Sequence, residues 1–133
     1  VANAAARIGA TPSLAHDPLA AVQHVLYELL PLDKTREAEA RTWLAFTAEA
    51  LVEPSLAEAS SAMQYLLGQV ARSCIEALDE AELLRADADK ELETISLQAF
   101  VDGLALQMLA APKSLPASKA KEAVRSYIQG ICA

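Results

Sequence analysis

Apolar side chains recur at steps of three and four residues through most of this chain, the spacing that places them on one face of an α-helix. Prolines divide the pattern into segments, because proline opens or ends a helix and rarely continues one. The pattern predicts five main helices, over residues 18–30, 33–52, 54–78, 88–110 and 116–131. Asp17 and Asp87 are the predicted N-caps of the first and fourth helices, since an aspartate carboxylate accepts hydrogen bonds from a helix's first turn.

The amino-acid composition also indicates a helical protein. The 133 residues include 29 Ala and 20 Leu, which favour helices, against 17 Val, Ile and Thr, which favour strands. This length suits one domain and is too short for two comfortable ones. The sequence therefore predicts an all-α fold: a single helical-bundle domain of five to six helices. The sixth would lie around residues 4–8, followed by a loop over residues 9–12.

The fourth predicted helix is apolar on two faces. One face consists of Leu92, Ile95, Ala99, Gly103 and Leu106, and the other of Leu97, Val101, Leu104 and Met108. A helix that is apolar nearly all round must be covered on both sides, so we expect a homodimer in which a second copy covers one face. A central helix in a monomeric bundle is the alternative. The predicted interface residues, on the second face and the last helix, are Leu97, Val101, Leu104, Gln107, Met108, Ala120, Val124 and Tyr127.

Charge limits the partners that this chain can bind. Eleven Lys and Arg against eighteen Asp and Glu give a formal net charge of −7, whereas a surface that binds duplex DNA needs clustered positive charge. We therefore expect no nucleic-acid binding by this chain alone. The longest nearly apolar run, residues 95–111, reaches only about 25 Å as a helix, short of a bilayer core of about 30 Å, so no membrane insertion is expected. Without a signal-peptide pattern or paired cysteine spacing, we expect a cytoplasmic location.

Residue patterns that carry catalysis or bind metals are missing from the sequence. His16 and His24 lack a glutamate three residues earlier, so the Glu-x-x-His pairs of a di-iron bundle do not occur. Cys74 and Cys132 lie too far apart for the short spacings of a zinc site, and neither a G-x-S-x-G elbow nor a glycine-rich phosphate loop is present. We expect no catalytic residue, no metal and no cofactor, and we interpret the chain as a protein that is not an enzyme.

One group of side chains suits a small ligand. Its members are Trp43, Phe46, Thr47 and Ala50 on the second helix, Met63, Gln64 and Leu67 on the third, and Ala99 on the fourth. Aromatic and methionine side chains with a few polar groups are typical of a pocket for a small apolar or aromatic molecule. Gln98 and Asp102 are candidates for further polar contacts. The alternative is that these side chains fill an ordinary core.

Three stretches resemble a known family of regulators. They are residues 41–50 (RTWLAFTAEA), 53–57 (EPSLA) and 100–107 (FVDGLALQ), and Leu115-Pro116 then leads into the last helix. In this order and spacing they resemble the C-terminal domain of TetR-family transcriptional repressors, in particular the betaine-regulator-like branch, over about residues 18–131. Thr47 departs from the family pattern, because an aromatic residue is common at that position.

The resemblance implies an effector-binding and dimerisation domain over residues 1–133, in which residues 1–15 hold the end of a linking helix and a loop. In the family, the last two long helices form a four-helix bundle with a second copy, and a pocket among the middle helices binds an inducer. Operator DNA is bound by an N-terminal helix-turn-helix domain, which this chain lacks. The expected function is effector binding that controls operator affinity of the full-length regulator. A structural or protein-interaction module without a small ligand is the alternative, and a small helical enzyme is a remote third.

Overall fold

The computed structural model describes residues 17–133 as five α-helices joined by short connections. The helices are α1 (Pro18–Glu28), α2 (Lys34–Ala50), α3 (Ala57–Glu80), α4 (Lys90–Ala110) and α5 (Ala117–Ile131), and a 3₁₀ turn (Pro54–Leu56) precedes α3. The all-α fold class is confirmed, and the five predicted helices occur in order with bounds that differ by no more than one helical turn. The helix predicted at residues 4–8 lies outside the described residues.

Aspartate side chains fix where three of the helices begin. Asp17 caps α1 and Asp33 caps α2 by accepting hydrogen bonds from main-chain N–H groups of the first turn. The cap of α4 is Asp89, so the prediction of Asp87 at this position is wrong. Asp87 comes two residues too early to reach the first turn, and its carboxylate instead lies 3.4 Å from the Arg85 guanidinium. Each cap satisfies main-chain donors that a helix start leaves open, typically worth about 1 kcal/mol.

The core lies between α1, α3, α4 and α5, and α3 packs along the length of α4. The largest fully buried side chains are Val22, Leu26, Leu30, Cys74, Ile75, Leu78, Leu97, Val124 and Ile128. Helix α2 contributes much less, because only Ala40 and Ala50 are buried on it and its aromatic residues stay partly exposed. Helix α2 therefore rests on the side of the bundle and leaves a space beneath it.

Six of the eight predicted interface residues are core residues of the chain itself, which leaves them little surface to offer a second copy. They are Leu97, Val101, Leu104, Met108, Ala120 and Val124, none of them more than 7% exposed. Hydrophobic spacing detects both apolar faces of α4 but does not tell which one the other helices cover. Gln107 is exposed, and Tyr127 is partly buried with its ring stacked on Phe100 at a centroid distance of 4.3 Å.

The other apolar face of α4, called the outer face below, points away from the core. It consists of Leu92, Ile95, Ala99, Gly103 and Leu106. Leu92 is 60% exposed, Ile95 57% and Leu106 45%. Beside Gly103 the described residues leave open space where a Cβ atom would lie, so no contact among them requires a glycine there. A continuous row of exposed apolar side chains is typical of an association surface.

The end of α5 is tied to the connection between α3 and α4. The N–H of Arg85 donates to the carbonyl of Ile131 at 3.0 Å, and the N–H of Ala133 donates to the carbonyl of Leu83 at 2.8 Å. The Arg85 guanidinium adds a hydrogen bond from Nη1 to the carbonyl of Gly130 at 2.8 Å. These bonds, called the C-terminal tether below, hold the last helix against the bundle at its far end.

Candidate functional site

A cavity of about 400 Å³ lies among α1, α2, α3 and α4. Its apolar lining consists of Leu26, Leu29, Ala40, Trp43, Leu66, Leu67, Val70, Ala71, Val101 and Ala105. Its polar lining consists of Glu28, Arg36, Glu39, Gln69, Ser73, Gln98 and Asp102. Pockets for small organic molecules occupy about 300–1,000 Å³ and combine apolar walls with a few placed polar groups. The cavity has the size and the lining of such a pocket.

Small side chains on three helices create this space. Ala40 on α2, Ala71 on α3 and Ala105 on α4 all line the cavity, and each side chain ends at Cβ. Protein interiors normally pack as densely as organic crystals, with few voids larger than a water molecule. A space of about 400 Å³ is therefore much more than an irregularity of core packing.

Two of the eight predicted ligand-binding residues, Trp43 and Leu67, line the cavity, as do both polar candidates, Gln98 and Asp102. The structure places the other six outside the lining: Phe46, Thr47, Ala50, Met63, Gln64 and Ala99. The cavity lies against the N-terminal half of α2, whereas the predicted set is centred at least one turn farther along that helix. Ala99 belongs to the outer face of α4 and points away from the cavity.

Sequence reasoning misses the contribution of α1 and of the first turns of α2. The apolar residues of α1 look like an ordinary core stripe, and Glu39 looks like part of a solvated face. The structure brings Glu28, Arg36 and Glu39 into the lining beside Leu26. One signal was available: Glu28 falls one turn after Val25 on the buried stripe of α1, where a charged residue is unexpected.

The side chain of Glu28 is 3% exposed and is paired with the guanidinium of Arg36. Nη2 of Arg36 donates to Oε1 of Glu28, and Nε donates to Oε2 at 3.3 Å, so the contact has two points. Nη1 of Arg36 also lies 2.8 Å from the carboxylate of Asp33, and Nε2 of His24 lies 3.7 Å from Glu28 Oε1. This ion pair joins the end of α1 to the start of α2 at one end of the cavity.

Asp102 and Trp43 carry polar groups in the lining that the described residues leave unpaired. Burial raises the pKa of Asp102 to about 6, and residues 17–133 offer its carboxylate no hydrogen bond and no ion pair. Nε1 of Trp43 is buried without a hydrogen-bond partner in the same part of the chain. Asp102 is partly buried, whereas the Trp43 nitrogen is fully buried, and an unpaired polar group in such a position typically costs about 1–3 kcal/mol. These two groups mark where a bound molecule could supply the missing partners.

Gln98 forms a fixed polar link between α3 and α4 at the cavity wall. Its Nε2 donates to the main-chain carbonyl of Gln64 at 3.3 Å and to the Gln64 side-chain oxygen at 3.2 Å. Its Oε1 lies 3.2 Å from the position that a Cβ atom on Gly68 would take. A Cβ atom at position 68 would require a small shift of the Gln98 amide, so this glycine leaves room for the Gln98 side chain.

Metal binding and thiol chemistry find no support in the described part of the chain. No group of His, Cys, Asp and Glu between residues 17 and 133 could hold a metal ion. Burial raises the pKa of Cys74 to about 12, which keeps its thiol protonated and unreactive. None of the described helices is long and apolar enough to cross a membrane.

Comparison with known families decides what kind of domain this is. Residues 18–133 match the family described as BetI-type transcriptional repressor, C-terminal. The chain belongs to the TetR family. The resemblance carried by the three sequence stretches is thereby confirmed, and the family is one of transcriptional repressors, not of enzymes.

Two relatives agree with this TetR-family assignment. The domain is 32% identical over 115 residues to the HTH-type transcriptional regulator PksA of Bacillus subtilis (strain 168), which covers 86% of this chain and 55% of that protein. It also matches the crystal structure of a transcriptional regulator from Rhodococcus sp. Rha1, with a TM-score of 0.80 and 28% identity, over 97% of this chain and 65% of that one. The chain thus spans less than two thirds of the length of either relative.

Proposed function

We propose that this TetR-family domain binds a small, mainly apolar effector in the cavity among α1–α4, and that effector binding controls the operator affinity of the full-length regulator. The observation that carries the proposal is the cavity itself, with a volume of about 400 Å³, apolar walls and a few polar groups. Membership of a family of transcriptional repressors supplies the regulatory context.

Helix α2 is the element best suited to respond to a ligand. It has only two buried residues, so its position can change without disrupting the core. The Glu28–Arg36 ion pair ties α2 to the end of α1, so the two helices would move together. A ligand that binds one arrangement more tightly shifts the population toward it. Such coupling is typically about 1–3 kcal/mol, or roughly 5- to 150-fold in affinity.

A second copy of the chain is the proposed cover for the outer face of α4. Leu92, Ile95 and Leu106 expose about half of their surface there, and the open space at Gly103 would let a partner helix approach closely. In a two-fold dimer the outer face of one subunit packs against the outer face of the other, so a single interface would bury both apolar rows. The homodimer predicted from sequence is retained, with the opposite face of α4 as its interface.

Operator contact is assigned to a separate part of the regulator. The chain carries a formal net charge of −7, which repels phosphates, so the domain alone should not bind duplex DNA. The Bacillus relative is named an HTH-type regulator, and this chain spans 55% of it. A helix-turn-helix domain in the full-length protein is the proposed DNA-binding part.

A cavity-filling substitution tests the effector site. Trp43 is the only tryptophan, so a screen for saturable changes in its emission identifies ligands. Val70→Phe extends a ring into the cavity and should weaken binding of such a ligand at least about tenfold, because the ring occupies its space. Thr47→Phe makes a similar enlargement on α2 outside the lining and should leave affinity nearly unchanged. Calorimetric titration measures the ligand affinity of both variants. Equal affinities for Val70→Phe and the unmodified protein would contradict the proposal.

A further inference from the structure

The cavity lining carries four ionisable groups. They are three carboxylates, on Glu28, Glu39 and Asp102, and one guanidinium, on Arg36. The guanidinium is engaged at two points by Glu28, and none of the described residues forms a hydrogen bond or an ion pair with Asp102. An unpaired carboxylate in an apolar cavity, such as that of Asp102, favours a positively charged ligand over an anion.

Asp102 sets the more specific requirement. When a ligand fills the cavity, the carboxylate loses contact with water, which is costly unless it gains an opposite charge and a hydrogen-bond donor. The described residues supply neither to Asp102. A neutral apolar ligand would supply neither, and a quaternary ammonium would supply charge without a donor. A protonated primary amine supplies both.

The remaining walls suit the apolar body of such a molecule. Leu66, Leu67 and Val70 of α3 provide aliphatic surface, and Trp43 provides an aromatic face that also attracts cations. The unpaired, buried N–H of Trp43 is an independent sign that the chain's own groups do not complete this site. The lining thus combines an apolar compartment with a carboxylate that lacks a partner.

We propose that the effector is a lipophilic amine, whose protonated amino group donates a hydrogen bond to Asp102 and whose apolar body lies against Trp43, Leu67 and Val70. This inference rests on the proposed function and adds the chemical class of the effector. Gln98, one turn before Asp102 on α4, is held by Gln64 and forms the fixed polar edge beside the amino group.

Three matched probes test the amine directly: 4-phenylbutylamine, the neutral 4-phenylbutan-1-ol and trimethyl(4-phenylbutyl)ammonium. Calorimetric titration of the 133-residue chain at pH 7.5 should show the amine binding about tenfold or more tighter than either of the others, the typical effect of a charge-assisted hydrogen bond. Asp102→Asn should remove this preference by weakening the amine while leaving the alcohol unchanged. Glu76→Gln removes an exposed carboxylate of α3 outside the lining and should leave all three affinities unchanged.

The outcomes separate this inference from the proposed function. If the alcohol binds as tightly as the amine, or if Asp102→Asn does not weaken binding of the amine, the proposal of an amine effector is wrong. The proposal of an apolar effector site would still stand. A quaternary ammonium that equals the amine overturns the hydrogen bond to Asp102. If none of the three probes binds while a screened compound does, the amine class is wrong. If nothing binds, both proposals fall. The comparison of probes on the unmodified chain decides the matter even if the Asp102 variant fails to fold.

Discussion

Among single residues, Asp102 should lower the stability of the empty domain. Its pKa is about 6 in the folded protein against 3.8 for an ordinary aspartate, because burial disfavours the charged form. The folded state therefore holds this proton more tightly, and the free energy of unfolding falls as pH rises from about 4 through 6. Asp102→Asn should stabilise the domain at pH 7.5 by on the order of 1 kcal/mol, allowing for partial exposure, and by much less at pH 4. Urea unfolding at both pH values measures this.

The difference between variant and unmodified protein isolates Asp102. The other titratable groups of the lining, on Glu28 and Glu39, are common to both proteins, as are the charge of Arg36 and the His24 side chain beside Glu28. Glu76→Gln is the matched control, since it removes one negative charge from the exposed surface of α3 and should change stability little at either pH. A stabilisation by Asp102→Asn that is the same at pH 4 and 7.5 would contradict a cost that arises from burying the charge.

The Glu28–Arg36 pair should be costly to break. Arg36→Met leaves a carboxylate that is 3% exposed without its guanidinium, and breaking a buried pair typically costs about 3–5 kcal/mol. Because the Arg36 side chain is 22% exposed, we expect a loss of about 2–3 kcal/mol in the free energy of unfolding. Replacing both residues by Met should recover most of it. Arg41→Met breaks only the exposed pair with Glu37 and should lower the free energy of unfolding by well under about 1 kcal/mol, measured by urea denaturation like the other variants. Equal losses for Arg36→Met and Arg41→Met would contradict a stabilising role of the buried Glu28–Arg36 pair.

A site residue can be predicted from the sequence when the pattern of its own helix distinguishes it from its neighbours. Trp43 stands on an apolar stripe, and Gln98 and Asp102 stand out as polar residues on an apolar helix, so the sequence finds all three. Glu28 and Arg36 are missed, because a charged residue looks solvated until its partner is known. Here the partner comes from another helix, and the short turn between α1 and α2 brings the two together.

For the helices, the main question is which surface joins two copies. Ile95→Glu puts a charge in the middle of the outer face of α4, where a dimer would have to bury it without a partner. The sedimentation mass at micromolar concentration should therefore shift from dimer toward monomer. Leu51→Glu is the matched control, because Leu51 is an 83% exposed leucine at the end of α2, outside the outer face. An unmodified chain that sediments as a monomer, or an Ile95→Glu chain that remains a dimer, would contradict this interface.

The same substitution on the opposite face of α4 should have a different result. Leu104 is 7% exposed and belongs to the core, so Leu104→Glu should unfold the domain, whereas Ile95→Glu keeps its helical circular dichroism. A folded, monomeric Leu104→Glu chain would reverse the assignment of the two faces.

The ends of the helices are predictable because local chemistry sets them. Prolines at positions 18, 54 and 116 and aspartates at 17 and 33 stand at or next to helix starts, and each acts within a few residues of itself. The burial of a helix face depends on where other helices lie. Both faces of α4 have the spacing of a core stripe, and only the positions of α1, α3 and α5 decide between them.

In the molecule as a whole, the fold class follows from composition and pattern, but the cavity does not. Alanines at positions 40, 71 and 105 look like ordinary helix formers in the sequence. They become the walls of a space only because α2, α3 and α4 bring them to the same cavity beside α1. The sequence pattern predicts a pocket on the second, third and fourth helices, and the contribution of α1 emerges only from the assembled bundle.

The C-terminal tether has a consequence for how the domain is made. It joins Leu83 to Ala133 by a main-chain hydrogen bond and so closes a long ring that contains α4 and α5. Closing so long a loop is unfavourable until the contacts inside it form, and these include Val124 and Ile128, which α5 supplies to the core. During synthesis on the ribosome, α1–α4 therefore lack the α5 side chains that cover part of their core until residue 133 has emerged. The uncovered apolar surface would be prone to aggregation during that interval, and the domain would reach its final fold only after translation of its last helix.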